Sequence, residues 1–329
     1  MKLTPGKLRG MEALADKRGV IAAAAMDQRG SLEKMLQAAG ANPTPEMMAE
    51  FKTAVARILT PHASAILLDP EYGLEAARQR AKNAGLLLAY EKSGYDNTRP
   101  GRVPDFLEHW SALRLKEAGA DAVKVLIHYT PFEDEQVNDE KHVWIERIGA
   151  ECVAHDIPFF VELVGYDAKG GGEKTPEFAK VKPEIVARSV EEFSKDRYHA
   201  DVLKVEIPVN LQYVEGTRSF KGPAVSGRRQ ALEHYRSAAT AAGRPFIYLS
   251  AGVSNAQFIE SLEMAAEAGV KFSGVLCGRA TWAGGVPEYA KGGLKALEAW
   301  LSDQGVKNIN AVNAALANAS PWFAAYGEL

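Results

Sequence analysis

A chain of 329 residues, 47% hydrophobic and 25% charged, has the apolar material for one large buried core and none of the bias of a disordered or fibrous protein. Its net charge of −3 implies no basic face for a nucleic-acid backbone, so nucleic acid is set aside as a partner, although local cations can still hold a small anion. No apolar stretch is long enough to span a bilayer, the start Met1-Lys2-Leu3-Thr4 lacks a signal-peptide core, and two cysteines make no disulfide framework, so a reducing cytoplasm is the expected compartment.

Short apolar runs alternate with longer amphipathic segments, which is the pattern of repeated βα units. The first run, 20–26, ends in Asp27-Gln28-Arg29-Gly30. A helical pattern from 44 to about 59 leads to the second run, 65–68, ending in Asp69-Pro70. The third, 86–90, ends in Glu91-Lys92. A helix from about 104 to 118 precedes the fourth run, 122–127, and another from about 134 to 154 precedes the fifth, 158–163. Beyond a flexible Gly170-Gly171-Gly172 loop come runs at 201–208, 245–250 and 272–277, which makes eight. From about 306 to 317 the pattern predicts one extra C-terminal helix, docked by Trp322 and Phe323. Eight strands with crossovers long enough for helices, and no linker to mark a second domain, predict a closed (β/α)8 barrel spanning residues 1–329 as one domain. An open doubly wound sheet is the alternative.

The sixth run carries the residue least suited to a buried strand. Val202, Leu203, Val205 and Ile207 are apolar, and Lys204 sits among them. Loss of hydration favours the neutral amine, the form that attacks a carbonyl, so Lys204 is the candidate Schiff-base nucleophile. Taken alone, the same octapeptide also reads as an edge strand with its lysine in water.

The rest of the chain favours the buried reading. Asp27, Lys124, Glu162, Ser250 and Arg279 all fall at or toward the C-terminal ends of runs, where barrel active sites gather. Period-two counting sets Lys124 opposite Val123 and Val125, and Lys204 opposite Leu203 and Val205, so both lysines and Glu162 point into the barrel. A carboxylate there can shuttle protons during carbinolamine dehydration. The structural readings are an ion pair between Lys124 and Glu162, and a helix cap for Asp27.

Ser250-Ala251-Gly252-Val253-Ser254 and Gly278-Arg279-Ala280-Thr281-Trp282 place glycine directly after a strand. Glycine lets backbone N–H groups approach an anion, the loops after strands seven and eight are the usual phosphate site of barrels, and Arg279 adds a bidentate cation. Ordinary turns share this composition. The seven histidines are scattered without metal-site spacing, so amine catalysis with no metal or other cofactor is preferred. No G-x-G-x-x-G follows a strand and no P-loop occurs.

Several long, chemically unusual stretches carry a resemblance to a known family: Asp27-Gln28-Arg29-Gly30, the segments 67–74, 85–92, 119–124 and 157–160, Leu203-Lys204-Val205-Glu206, and the segments 248–253 and 274–284. Over nearly its whole length the chain resembles the class I tagatose 1,6-bisphosphate aldolases. The resemblance implies a (β/α)8 fold, a small-molecule sugar phosphate as partner, a homodimer, and cofactor-free reversible cleavage of D-tagatose 1,6-bisphosphate to dihydroxyacetone phosphate and glyceraldehyde 3-phosphate. It carries the Schiff-base lysine onto Lys204, the acid/base carboxylate onto Glu162, the second active-site lysine onto Lys124, and the carboxylate that handles the C4 hydroxyl onto Asp27. Ser250, Gly252, Gly278 and Arg279 fall on the ketone-side phosphate site, and Gln28 and Arg29 lie near the substrate. Segments 165–182 and 213–225 match less well, which leaves the second substituent of the sugar open, and because a related aldolase type shares the Lys, Glu and Gly-Arg-Ala pattern, fructose 1,6-bisphosphate and 6-deoxy-6-sulfofructose 1-phosphate are alternative substrates. A phosphosugar epimerase or isomerase, and a phosphosugar-sensing regulatory protein, are the readings from other classes.

Overall fold

Residues 3–326 are described by the structure, a computed structural model. All eight runs are strands: β1 (Ile21–Ala25), β2 (Ala65–Leu68), β3 (Gly85–Ala89), β4 (Ala122–Tyr129), β5 (Phe159–Gly165), β6 (Val202–Val205), β7 (Phe246–Leu249) and β8 (Gly274–Cys277). Each pairs in parallel with its sequence neighbours, and β1 pairs with both β2 and β8, which closes the barrel. Both faces of the strands are covered, so they read as nearly continuous apolar runs. Ala23, Leu67, Leu87, Phe160, Ile247 and Leu276 form the inner cluster, while Val123, Val125, Val161, Leu203 and Tyr248 belong to the larger cluster under the helices.

The helices follow in chain order: α1 (Pro5–Leu14), α2 (Gly30–Ala38), α3 (Pro45–Leu59), α4 (Leu74–Gln79), α5 (Ala112–Glu117), α6 (Glu135–Ala154), α7 (Pro176–Phe193), α8 (Arg228–Thr240), α9 (Asn255–Glu267), α10 (Arg279–Trp282), α11 (Gly285–Trp300) and α12 (Val306–Ala315). Local chemistry starts several of them. The side chains of Thr44, Thr175 and Ser254 accept the N–H groups of Met47, Phe178 and Gln257, and Pro45 and Pro176 preset the first turns of α3 and α7. No described helix is long and apolar enough to cross a membrane.

Two expectations need correction. The helix predicted over 104–118 shortens to α5, because the preceding segment is bound to the end of β3: Phe106 bridges Glu91, and Leu107 donates its N–H to the Tyr90 carbonyl at 3.2 Å. The extra C-terminal helix is present as α12, which continues from α11 through a five-residue π turn, Leu301–Gly305. Trp322 is buried against the inner cluster beneath the barrel, whereas Phe323 is 38% exposed and docks nothing into the core.

The ends of the barrel are unlike. At the N-terminal end, Met11 and Leu14 of α1 join Trp322 and Tyr326 in the inner cluster and seal the base. Asp201 ties this floor together, taking an ion pair from Lys7 at 2.7 Å on its side chain and the Tyr326 hydroxyl at 2.6 Å on its carbonyl. Charged side chains collect at the other end.

Candidate active site

Asp27 lies two residues beyond Ala25 and keeps its inward parity. Its backbone is held from behind by Lys52 of α3, which is fully buried. Lys52 Nζ donates to the carbonyls of Met26 at 2.8 Å and Gln28 at 2.7 Å, and ion-pairs with buried Asp69 at the end of β2. The two residues flanking Asp27 are therefore pinned by one ammonium.

Lys124 projects from β4 with no solvent exposure, and three carboxylates surround it. Its Nζ lies 2.8 Å from Asp27 Oδ2, 2.8 Å from Glu91 Oε1 and 2.8 Å from Glu162 Oε2. Burial opposes the charged form, but Asp27, Glu162 and Glu91 outweigh it and hold the Lys124 ammonium well above the usual lysine range.

The register of β5 on β6 sets Glu162 beside Lys204, and Lys204 Nζ lies 2.9 Å from the same Oε2 that faces Lys124. These two approaches are charge contacts without the direction of good hydrogen bonds. Burial would raise the Asp27 and Glu162 carboxyls, yet Lys124 and Lys204 hold both below the usual carboxylate range. Glu91 goes the other way. Burial dominates there, and its pKa is raised despite Lys124 and Arg29.

The loops after β7 and β8 meet. Gly252 has φ +76°, and a Cβ on it would lie 2.7 Å from Arg279 Cζ, so only glycine lets this backbone rest against the guanidinium. Gly278 similarly admits the Gln28 amide, whose Nε2 would be 3.1 Å from an added Cβ. Arg279 is half-buried, and its guanidinium has no hydrogen-bond or ion-pair partner among the described residues. Ser250 is buried, and its hydroxyl faces the thiol of Cys277, which burial pushes up to about 12. Arg29 is also buried, but its guanidinium is engaged: Glu71 lies 2.7 Å away and Glu91 3.8 Å.

All ten candidate residues thus gather at the open end of the barrel, and two groups join them that sequence reasoning passed over. Glu91 is two residues beyond Ala89, at the place on β3 that Asp27 occupies on β1, and the parity that singled out Glu162 marks it as well. Lys52 sits in the apolar stripe of Met48, Val55 and Leu59 on α3, where a solvated lysine does not belong. Farther out, Arg102 ion-pairs with Glu173 at 2.8 Å and lies over the Tyr95 and Tyr166 rings, joining the loops after β3 and β5. Among the described residues no three His, Cys, Asp or Glu side chains are arranged to hold a metal ion.

The chain resembles known proteins over most of its length. Residues 21–284 match the family described as DeoC/LacD family aldolase. The chain is 50% identical to tagatose 1,6-diphosphate aldolase 2 of Enterococcus faecalis, over 98% of each chain. It is 48% identical to the tagatose 1,6-diphosphate aldolase of Listeria monocytogenes, over 100% of this chain and 97% of that one. It is 51% identical to tagatose 1,6-diphosphate aldolase 2 of Streptococcus pyogenes, over 97% and 98%. Among solved structures, the fructose-bisphosphate aldolase of Plasmodium falciparum superposes with a TM-score of 0.69 over 97% of both chains at 14% identity, a likeness of fold. With a family match across the barrel and relatives about half identical from end to end, the chain belongs to the DeoC/LacD family of aldolases.

Proposed function

We propose that this aldolase cleaves D-tagatose 1,6-bisphosphate reversibly to dihydroxyacetone phosphate and D-glyceraldehyde 3-phosphate through a Schiff base on Lys204, without a metal. The observation that carries the reading is Lys204 Nζ, buried inside the closed barrel and 2.9 Å from Glu162 Oε2. The relatives named for this substrate support the choice of sugar. Two buried, unpaired cysteines suit a reducing, cytoplasmic setting.

In this mechanism Lys204 passes a proton to the adjacent Glu162, and the freed amine adds to the C2 ketone and forms a carbinolamine. Glu162 gives a proton to the departing hydroxyl, water leaves, and a cationic iminium remains. Asp27 takes the C4 hydroxyl proton, the C3–C4 bond breaks, and its electron pair is drawn into the iminium to give an enamine. Glyceraldehyde 3-phosphate departs. Protonation of the enamine at C3 and hydrolysis release dihydroxyacetone phosphate and restore the lysine. Arg279, with Gly252, Gly278 and Ser250, receives the ketone-side phosphate, and the otherwise unpartnered guanidinium supports that role. Gln28 and Arg29 line the wall beside it, with the buried Gln28 Oε1 and Arg29 Nε free for the substrate.

The test is borohydride reduction in the presence of tagatose 1,6-bisphosphate, followed by mapping of the modified peptide. Label on Lys204 is expected; label elsewhere, or none, rejects the assignment. Side-by-side kcat/KM values for the tagatose and fructose bisphosphates and 6-deoxy-6-sulfofructose 1-phosphate decide the substrate.

A further inference from the structure

Carbon–carbon cleavage releases a proton among buried charges that have to accommodate it. Lys124, Lys204 and Arg29 stand against Asp27, Glu91 and Glu162, and each of the six is less than a tenth exposed. Formation of the iminium keeps this balance, since the nitrogen of Lys204 remains cationic. Cleavage upsets it: the enamine is neutral, and the proton of the C4 hydroxyl has entered the pocket. A carboxylate has to carry that proton until the enamine is protonated, because an uncompensated buried charge is costly.

Asp27 receives the proton but is poorly suited to keep it, being crowded by Lys124, Lys204 and Arg29. Glu162 is bracketed by two lysines. Glu91 faces Lys124 from β4, Arg29 from beyond β1 and the like charge of Asp27, and its Oε2 is buried with no hydrogen-bond partner. Contacts run unbroken from Asp27 Oδ2 through Lys124 Nζ to Glu91 Oε1, 2.8 Å at each step.

We infer that Glu91 is the proton store of the cleavage step, acting through Lys124 as a positioning residue for Asp27. The C4 O–H bond breaks and its proton goes to Asp27. Lys124 gives one N–H proton to Glu91 and takes the Asp27 proton in return. Asp27 is again ionised, Lys124 again an ammonium, and Glu91 a neutral acid. When the enamine is protonated at C3, the stored proton is withdrawn along the same line and the balance of charges returns. Of the three carboxylates, Glu91 alone has its affinity for a proton raised by its surroundings, which agrees with this division of labour.

The inference rests on the Schiff-base reading, and one set of measurements separates the two. Glu91→Gln preserves shape and a polar contact to Lys124 but cannot store a proton. Single-turnover cleavage of tagatose 1,6-bisphosphate is expected to fall about a hundredfold at pH 7, the range for loss of one proton-transfer group, and the deficit to narrow at least tenfold by pH 9 as solvent removes the proton. Borohydride labelling of Lys204 stays within about threefold of the parent, because imine formation needs no store. A deficit that is uniform in pH, or labelling lost in step with cleavage, overturns the inference and leaves Glu91 a structural residue. If the parent enzyme itself is not labelled, the Schiff-base reading fails instead. Should Glu91→Gln not accumulate in folded form, Glu91→Asp replaces it: cleavage reduced with labelling kept supports the store, and equal loss of both overturns it.

Discussion

Lys204 stands directly beside Glu162 in the pairing of β6 with β5, and both of the lysines that face the pocket meet the same Glu162 oxygen. Lys204→Met removes the nucleophile but leaves Glu162 its Lys124 partner, so folding is expected to survive while borohydride labelling disappears. Retained labelling moves the nucleophile to Lys124. Glu162→Gln keeps the shape and loses the proton carrier, and kcat is expected to drop about 10²- to 10⁴-fold. Near-normal turnover would remove Glu162 from the mechanism.

Lys52 is the second target. Its ammonium spends its donors on Met26, Gln28 and Asp69, and Lys52→Met leaves Asp69 Oδ2 and two carbonyls buried without that partner, while Asp69 Oδ1 keeps the N–H groups of Glu71 and Tyr72. A loss of about 3–5 kcal/mol in urea-derived stability is expected. Adding Asp69→Leu restores part of that loss, since an apolar pair is tolerated where a lone charge is not. Failure of the double variant to recover any stability would show that the carbonyl bonds, and not the ion pair, dominate.

Arg279 and Gly252 test the phosphate cradle. Arg279→Ala deletes charge-assisted hydrogen bonds worth about 1.5–3 kcal/mol, which is roughly 10- to 150-fold in kcat/KM. Gly252→Ala sets a methyl 2.7 Å from the guanidinium carbon in a backbone with φ +76°, so a smaller loss of the same kind is expected with Arg279 intact. Inorganic phosphate should inhibit the parent more strongly than either variant. Equal inhibition of all three would place the phosphate elsewhere.

His128 gives stability a defined pH slope. Burial, with Arg102 and Lys141 nearby, pushes its imidazole down to about 4, whereas an unfolded histidine titrates near 6.5. Between these values the unfolded chain binds a proton that the folded one refuses, so stability falls as pH drops from about 6.5 to about 4, by up to about 3 kcal/mol. Above that window the histidine is neutral in both states and adds no slope. Denaturation series on His128→Asn should be flatter between pH 6.5 and 4.5, and an unchanged slope would assign the effect to other groups.

The eight strands were legible because each is an apolar run long enough to be covered on both faces. Parity then aimed Lys124, Glu162 and Lys204 correctly, since a strand fixes direction residue by residue. What escaped lies where direction depends on contacts distant in sequence. Glu91 carries inward parity but shares the end of its run with Lys92, and the antiparallel bridge to Phe106 extends the strand's pairing through Glu91. Lys52 stands out in its apolar stripe, but its task appears only where the residues after β1 present it with two carbonyls. The segment 104–111 has helical composition but spends its backbone on the end of β3.

The floor built from Met11, Leu14 and Trp322 has a bearing on biosynthesis. Its partners are about three hundred positions apart, and contacts of such range close late and slow assembly. A nascent polypeptide can lay out every strand on the ribosome and still leave the apolar interior wet from below until Trp322 has emerged. Shortening the chain ahead of that tryptophan is therefore expected to yield aggregation-prone product even though every catalytic group is present.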